Sequence, residues 1–238
     1  MNTHGVRITW LGHATFRFES AGKIFYLDPF LTPNPACPGD EKSPSQADAI
    51  LLTHGHSDHI SDAVPLAQRS KATVVCIIEL GMYLQKLGVA ADQLMKFNMG
   101  GTVEIAGAKV SMVHAAHSSS AEDEAGAAIY TGDPAGLVIK FAEGLTVYCA
   151  GDTDVFADMA LIRELYHPTL AILPIGDWFT MGPLGAAHSC RLLGVESVIP
   201  MHYGTWPMLT GTPIELLRQL KTLGVQCEVV EMRPGQTL

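Results

Sequence analysis

Histidine and aspartate crowd one short segment of the chain. His54, His56, Asp58 and His59 fall within six residues, and Gly55 separates the first two histidines. Imidazole nitrogens and carboxylate oxygens are common ligands of divalent transition metals, and several of them on one tight loop can reach the same ion. Gly55 would let the backbone turn sharply between the histidines. The spacing therefore predicts a metal site in an irregular loop, in preference to a polar surface loop that contains histidines by chance.

Three further ligand-type residues lie elsewhere in the chain, each shortly after an apolar run typical of a buried strand. They are His117, Asp152 and His202. The preceding runs are Lys109 to Val113, Leu145 to Cys149 and Val198 to Met201. Loops at strand ends commonly carry functional side chains on a rigid scaffold. We therefore expect these residues to join the histidine-rich segment along one edge of a sheet.

The remaining chain must supply the elements that position these side chains. Alternating apolar residues from Val6 to Phe18 predict the first strands, and the proline-rich stretch from Pro29 to Pro44 predicts a long loop. Further strands are predicted at 73–78, 103–105, 109–113, 137–141, 145–149, 170–175, 198–201 and 226–231, and helices at 80–87, 154–165, 184–193 and 213–223. This order favours a layered α/β or α+β architecture. Because no linker interrupts the pattern, we expect one domain over residues 1–238.

Composition narrows the class of protein. The 238 residues are 47% hydrophobic, and 15 Lys+Arg against 24 Asp+Glu give a net charge of −9. That charge disfavours broad attraction to nucleic acid or to anionic lipid. No apolar run is long enough to span a bilayer, and the N-terminus lacks a signal-peptide pattern. Five scattered cysteines without a C-x-x-C pair are typical of a reducing compartment, so we expect a cytoplasmic protein.

The motifs resemble those of the metallo-β-lactamase fold superfamily. That superfamily shows, in order, an Asp at a strand end, an H-x-H-x-D-H loop, a lone His, a lone Asp and a final His. The corresponding positions here are Asp28, His54 to His59, His117, Asp152 and His202. The segments Trp10 to Ala14, Gly151 to Thr153, Pro174 to Pro183 and Pro200 to Pro207 are similar to a branch of uncharacterised metal-dependent hydrolases. That branch is itself similar to ascorbate-6-phosphate lactonase and to N-acyl-phosphatidylethanolamine phospholipase D.

The resemblance implies a four-layer αββα sandwich of the α+β class with two metal positions. His54, His56 and His117 would hold the first ion, and Asp58, His59 and His202 the second. Asp152 would bridge the two ions, and Asp28 would accept a hydrogen bond that orients the metal loop. Relatives in this fold are often multimeric, so a homo-oligomer is one option for this chain.

Two divalent cations close together would do hydrolytic chemistry. A shared water loses its proton more easily, because its pKa falls to about 7, and it becomes a hydroxide nucleophile near neutral pH. The same ions would polarise the carbonyl or phosphoryl oxygen under attack. Five histidines and two carboxylates suit zinc first, with manganese, iron or nickel as alternatives.

Several other residues are candidates for the site. We count Asp58 and Asp152 as catalytic because they would hold the ions, and add His13 and Asp177 as candidates for orienting the substrate. Turn formation is the alternative role for both added residues. His188, Tyr203 and Trp206 could also reach the pocket, with a helix surface or loop packing as the alternative. The acidic run from Glu122 to Glu124 is typical of a solvated face.

Three candidate functions are compatible with these motifs. The first is a dinuclear metal hydrolase that cleaves a small ester, lactone or phosphodiester. The second is a nuclease similar to RNase Z, which the net charge of −9 disfavours. The third is a non-catalytic binding protein that metal stabilises. Because all seven implied ligands are present, we expect the hydrolase, with a small-molecule substrate and no nucleic acid partner.

Overall fold

The computed structural model describes residues 1–123 and 125–238, so Glu124 of the acidic run lies outside the described residues. The strands are β1 Arg7–Trp10, β2 Phe16–Ser20, β3 Lys23–Leu27, β4 Ala49–Leu51, β5 Thr73–Ile77, β6 Leu94–Phe97, β7 Thr102–Ile105, β8 Ala108–His114, β9 Ser120–Glu122, β10 Ala128–Tyr130, β11 Ala135–Lys140, β12 Thr146–Cys149, β13 Leu170–Pro174, β14 Ser197–Met201 and β15 Glu228–Val229. The helices are α1 Ser57–Ile60, α2 Ala63–Ser70, α3 Ile78–Lys86, α4 Met159–Tyr166, α5 Pro183–Leu193 and α6 Pro213–Thr222. Short 3-10 turns form at Gly39–Glu41 and Ala91–Gln93.

Two large sheets carry most of the strands. The first has the order β1-β2-β3-β4-β5-β6, antiparallel from β1 to β3 and parallel from β3 to β6. The second has the order β15-β14-β13-β12-β11-β8-β7, parallel from β12 to β15 and antiparallel elsewhere. Strands β9 and β10 form a separate hairpin. Strands β3 and β14 end directly before Asp28 and His202, and strands β4 and β12 end shortly before His54 and Asp152.

Apolar side chains fill the space between the sheets. The ring centroid of Phe141 in the second sheet lies 5.4 Å from that of Phe18 and 5.6 Å from that of Phe25 in the first. Helices α2 and α3 pack against the first sheet, and Leu66 and Leu84 join its core. Helices α4, α5 and α6 cover the second sheet through a separate apolar cluster. The layer order is thus helix, sheet, sheet, helix, as the resemblance implies.

Several expectations from the sequence need correction. The metal segment is not wholly irregular, because Ser57–Ile60 forms one helical turn that carries Asp58 and His59. A four-residue helix is too short to leave a periodic pattern. The sequence also missed α2, β6 and the β9–β10 hairpin, and it started α4 too early, since Asp154 instead pairs with Ala116 in an isolated bridge. Among the described residues, none of the helices is both long enough and apolar enough to cross a membrane.

Candidate metal centre

Eight ligand-type side chains converge at one end of the two sheets. One group comprises His54, His56, His117 and Asp152, and the other comprises His13, Asp58, His59 and His202. Within each group the ligand-type atoms lie within 4.8 Å of one another. They follow strands of both sheets, so the expectation that one sheet edge would build the site is wrong. Face-to-face packing brings the ends of the two sheets together, which a strand pattern alone does not reveal.

Asp152 lies between the two groups. Its Oδ2 is 3.6 Å from His117 Nε2 and 3.1 Å from His202 Nε2. Its Oδ1 is 3.4 Å from His59 Nε2. The carboxylate therefore contacts a histidine of the first group and two of the second. This is the position that a bridging ligand requires.

Asp28 organises the metal segment from behind. His59 Nδ1 donates to Asp28 Oδ2 over 2.9 Å. Thr53 donates to the same carboxylate twice, from its backbone nitrogen to Oδ1 over 2.8 Å and from its hydroxyl to Oδ2 over 2.6 Å. When the His59 ring gives up its second proton to a metal ion, the Nδ1–H held in this way leaves the lone pair on Nε2, the arrangement common for metal-binding histidines.

The same network fixes His54. The Thr53 hydroxyl uses its proton on Asp28, so at 3.0 Å from His54 Nδ1 it accepts a hydrogen bond from that nitrogen. The lone pair of His54 then resides on Nε2, which lies 3.0 Å from His56 Nδ1. Asp28 also lies close enough to His54 and His59 to form a third ligand-type group. Because both Asp28 oxygens already accept hydrogen bonds, we interpret this residue as a support for the ligands.

His13 is fully buried and contacts Asp58. Its Nε2 lies 3.0 Å from Asp58 Oδ2, and its Nδ1 lies 2.9 Å from Thr205 Oγ1. Burial lowers the pKa of His13 to about 4, so the ring is neutral near pH 7. A neutral ring donates from Nε2 to Asp58 and accepts at Nδ1 from Thr205. Both ring nitrogens of His13 thus have protein partners, which places this residue behind Asp58.

Unusual backbone conformations occur at several of the residues that build the site. Asp28, His13 and His202 have φ values of +44°, +54° and +55°, a region that residues other than glycine seldom adopt. The His202 backbone nitrogen donates to the His13 carbonyl over 3.1 Å, which ties the end of β14 to the β1–β2 turn. Such backbone strain persists where surrounding contacts hold it in place.

Glycine permits close approach at the metal segment. Gly55 does not adopt positive φ, so the sharp turn expected from the sequence is not its role. Instead, a Cβ at Gly55 would overlap the hydroxyl of Thr131. Gly151 has φ +61°, and a Cβ there would lie 2.7 Å from the Cβ of Thr53. Gly151 allows the loop that carries Asp152 to pack against Thr53, and Gly55 allows Thr131, directly after β10, to pack against the histidine-rich segment.

The site combines ionised carboxylates with histidines whose pKa is lowered in the first group and, at His59 and His202 of the second group, raised. Burial lowers the pKa values of His54, His56 and His117, so the first histidine group is neutral near pH 7. Burial disfavours the ionised form of Asp152, but His202 and His59 hold the pKa of its carboxyl well below the usual range.

Buried carboxylates raise the pKa of two histidines in the second group. Burial opposes protonation of His202, yet Asp152 and Asp58 raise its pKa to about 9. Burial likewise opposes protonation of His59, yet Asp152 and Asp28 raise its pKa well above the usual range. The buried carboxylates therefore stabilise positive charge at this position, as a cation site must.

Buried polar atoms without hydrogen-bond partners test whether a cation fits here. Among the described residues, four of the six such side-chain atoms belong to the site: His59 Nε2, Asp152 Oδ1, and both ring nitrogens of His202. An unpaired buried polar atom costs free energy, so native structures seldom leave several together. Coordination would satisfy His59 Nε2, Asp152 Oδ1 and one nitrogen of His202. The residues present therefore fit divalent metal binding.

A pocket of about 920 Å³ opens onto these side chains. His56, Asp58, His117 and Asp152 form its polar part. Apolar residues form much of the remaining wall, and they are Phe30, Ile60, Val64, Tyr83, Leu84, Leu87, Ala121, Phe179 and Trp206. Trp206 packs edge to face on His13, with ring centroids 4.7 Å apart. Ser118, directly after His117, and Phe179 also line the pocket.

Other sequence candidates lie outside the convergent groups. Asp177 is exposed, and its carboxylate accepts a hydrogen bond from the backbone of Trp178 within its own turn. His188 pairs with Arg191 on α5, with 2.9 Å between His188 Nδ1 and Arg191 Nη2. Tyr203 stacks on Trp10. The structure thus gives Asp177 and His188 contacts typical of a turn and of a helix surface.

Sequence reasoning missed two contributors to the site. Thr53 connects Asp28 to His54, and its only sequence signal is a hydroxyl residue directly before the first histidine. The apolar wall from α3 gave no signal, because Tyr83, Leu84 and Leu87 lie far along the chain from any ligand motif.

Comparisons with known proteins show which family this chain resembles. A family model described as "Beta-lactamase superfamily domain" matches residues 23–203. The chain is 50% identical over 235 residues to a UPF0173 metal-dependent hydrolase of Rubrobacter xylanophilus, covering 98% of this chain and 96% of the relative. A counterpart from Archaeoglobus fulgidus is 44% identical over 232 residues, covering 98% of both. The solved structure of a metallo hydrolase from Ignicoccus hospitalis aligns with a TM-score of 0.85 and 33% identity, covering 98% of this chain and 97% of that one.

Proposed function

The chain belongs to the β-lactamase superfamily and is one of its metal-dependent hydrolases, and on this basis we propose that it works with two divalent cations. The metallo-β-lactamase fold and the enzyme class predicted from the sequence are confirmed. The proposed reaction is hydrolysis of a small ester, lactone or phosphodiester. The observation that carries the proposal is the position of Asp152 between two groups of ligand-type side chains.

Each proposed metal position has its own set of residues. His54, His56 and His117 would hold the first cation, His54 through the Nε2 that the Thr53 network leaves unprotonated. Asp58, His59 and His202 would hold the second. Asp152 would contact both. Zinc suits this nitrogen-rich donor set best, because it binds histidine nitrogen and carboxylate oxygen readily.

His13 fits a positioning role better than a ligand role. Both of its ring nitrogens already have partners, Asp58 on one side and Thr205 on the other. By donating to one oxygen of Asp58, it would orient the other oxygen toward the second cation. We therefore assign His13 no contact with substrate.

The chemistry divides between the cations and the chain. When bound, the two cations would lower the pKa of a water molecule toward 7 and polarise the substrate oxygen. The chain's carboxylates and histidines hold the polar end of the pocket in fixed geometry, and its apolar wall limits the access of bulk water. Asp28 and Thr53 keep two ligand histidines in the tautomer that binds metal.

Metal analysis together with a substrate panel tests the proposal. Protein freed of metal by chelation is titrated with Zn²⁺ in a calorimeter, and the expected stoichiometry is two per chain. The reloaded protein is then assayed with p-nitrophenyl acetate, a lactone and bis(p-nitrophenyl) phosphate, with the chelated protein as control. Binding of a single ion, or hydrolysis that survives chelation unchanged, would overturn the dinuclear assignment.

A further inference from the structure

The wall of the pocket is apolar on the side that faces α2 and α3. Residues at the end of α3 form an apolar stripe along this wall, and they are Tyr83, Leu84 and Leu87. Val64 of α2 lines the same pocket. Leu84 is fully buried, whereas Leu87 is 48% exposed. The stripe therefore runs from the buried part of the pocket to its rim. A small polar substrate would gain no free energy from this surface, whereas a substrate with an apolar chain would gain from removing it from water.

The apolar stripe continues beyond the pocket. A second depression of about 440 Å³ shares Tyr83, Leu87 and Glu122 with the first. Its remaining lining includes Met82 on α3 and Ile129 on β10. We call the two depressions together the α3 cleft. The α3 cleft leads from the polar groups of the metal centre, between α3 and the β9–β10 hairpin, to the protein surface.

The charges along the α3 cleft restrict what it can bind. Apart from the proposed metal ligands, the acidic residue of the main pocket is Glu122, and among the described residues that line this pocket none is a lysine or an arginine. Among the described residues, the outer depression adds the carboxylates of Glu79 and Asp123 and one lysine, Lys86. An anionic group on the far end of a substrate would meet carboxylates here with little compensation. A neutral hydrocarbon group at the far end of the substrate would meet no such electrostatic penalty.

We propose that the substrate is a carboxylic ester whose neutral, apolar acyl chain occupies the α3 cleft, with the ester group at the metal centre. This inference rests on the proposed hydrolase function and names its substrate class. In the reaction, the oxygen of one water molecule bonds to the acyl carbon and the acyl carbon–oxygen bond breaks. The departing alkoxide takes a proton from that water, so a carboxylic acid and an alcohol leave.

Chain length provides the first test. For p-nitrophenyl esters from acetate to decanoate, kcat/KM should rise by roughly fourfold for each methylene group buried, until the chain fills the cleft. Replacing the terminal methyl group of the octanoate by a carboxylate should lower kcat/KM at least tenfold. A kcat/KM that is flat or falls with chain length would overturn this inference, while metal-dependent hydrolysis of the acetate would leave the proposed function standing.

Binding without turnover provides the second test. Isothermal titration with 2-pentanone, 2-octanone and 2-undecanone, which cannot be hydrolysed, should show affinity that increases with chain length. Leu87→Glu should abolish that increase and Leu87→Met should retain it, whereas Leu165→Glu, at an exposed leucine on α4, should match the unchanged protein. Equal affinity for all three ketones, or the same increase in Leu87→Glu, would refute the α3 cleft as the acyl site whether or not any ester is hydrolysed.

Discussion

Asp28→Asn is predicted to weaken metal binding without removing any proposed ligand. The wild-type carboxylate accepts three hydrogen bonds, from His59 Nδ1 at 2.9 Å and from the backbone and hydroxyl of Thr53 at 2.8 and 2.6 Å. An asparagine offers one oxygen and one amide nitrogen. If its oxygen keeps the Thr53 backbone bond, its NH₂ faces His59 Nδ1 and the Thr53 hydroxyl.

The reversed polarity changes the tautomer of two histidines. An NH₂ group can pair with His59 Nδ1 only if that nitrogen accepts, which moves the ring proton to Nε2, the atom 3.4 Å from Asp152. The Thr53 hydroxyl would likewise accept from the amide and donate to His54 Nδ1, so that His54 Nε2 also carries a proton. A protonated nitrogen has no lone pair for metal, so binding must first restore the original tautomer at the loss of a hydrogen bond.

The expected decrease in metal affinity follows from the loss of that hydrogen bond. A hydrogen bond to a charged group contributes about 1.5–3 kcal/mol, and loss of such a supporting partner weakens metal affinity by roughly 10- to 100-fold. We expect a loss of this size at both proposed metal positions. Metal-induced stabilisation at saturating Zn²⁺ should fall by about 1.4–2.7 kcal/mol per ion, because bound metal stabilises the folded state in proportion to the logarithm of its affinity.

Calorimetric titration of the chelated protein with Zn²⁺ measures the effect, and two variants serve as comparisons. Thr53→Val removes only the hydroxyl that orients His54, so it should weaken one of the two ions and spare the other. Asp48→Asn changes a carboxylate that accepts from Lys23 and Ile24 away from the site, and should leave both affinities unchanged. Two ions bound by Asp28→Asn with wild-type affinity would refute the tautomer reasoning.

Three further outcomes are expected. Asp152→Ala should lose one ion of the pair and the hydrolytic activity together, as measured by elemental analysis and ester hydrolysis, and full activity would contradict the bridging role. His188→Ala should leave metal content unchanged, because its partner is Arg191, and a loss of metal would show a misplaced ligand. Gly55→Ala should lower the free energy of unfolding by about 1–3 kcal/mol through overlap with Thr131. Urea denaturation would show this, and Thr131→Ala in the same chain should recover part of the loss.

The candidate ligands could be predicted because their residue types and order carry the information locally. His54, His56 and His59 lie within six residues, and His117, Asp152 and His202 each follow a strand that its apolar pattern predicts. The roles of these residues as ligands stay predictions. The longer elements were also predictable, since periods of 2 and 3.6 residues persist over enough positions to be recognised.

Contacts between distant segments could not be predicted in the same way. Asp177 and His188 looked equivalent to His13 in the sequence, yet only His13 lies beside Asp58. His13 and Asp58 are 45 positions apart, and the packing of two sheets decides their distance. No local pattern encodes such a distance.

Residue types and their order along the chain therefore determined which side chains can bind metal and which strands precede them. Tertiary structure decided that both sheets supply these side chains, that Asp28 acts through Thr53, and that α3 forms an apolar wall beside the polar groups. The physical reason is that hydrogen-bond polarity and pocket shape depend on distances between atoms that are remote in the chain. Those distances arise only when the apolar faces of the layers pack together.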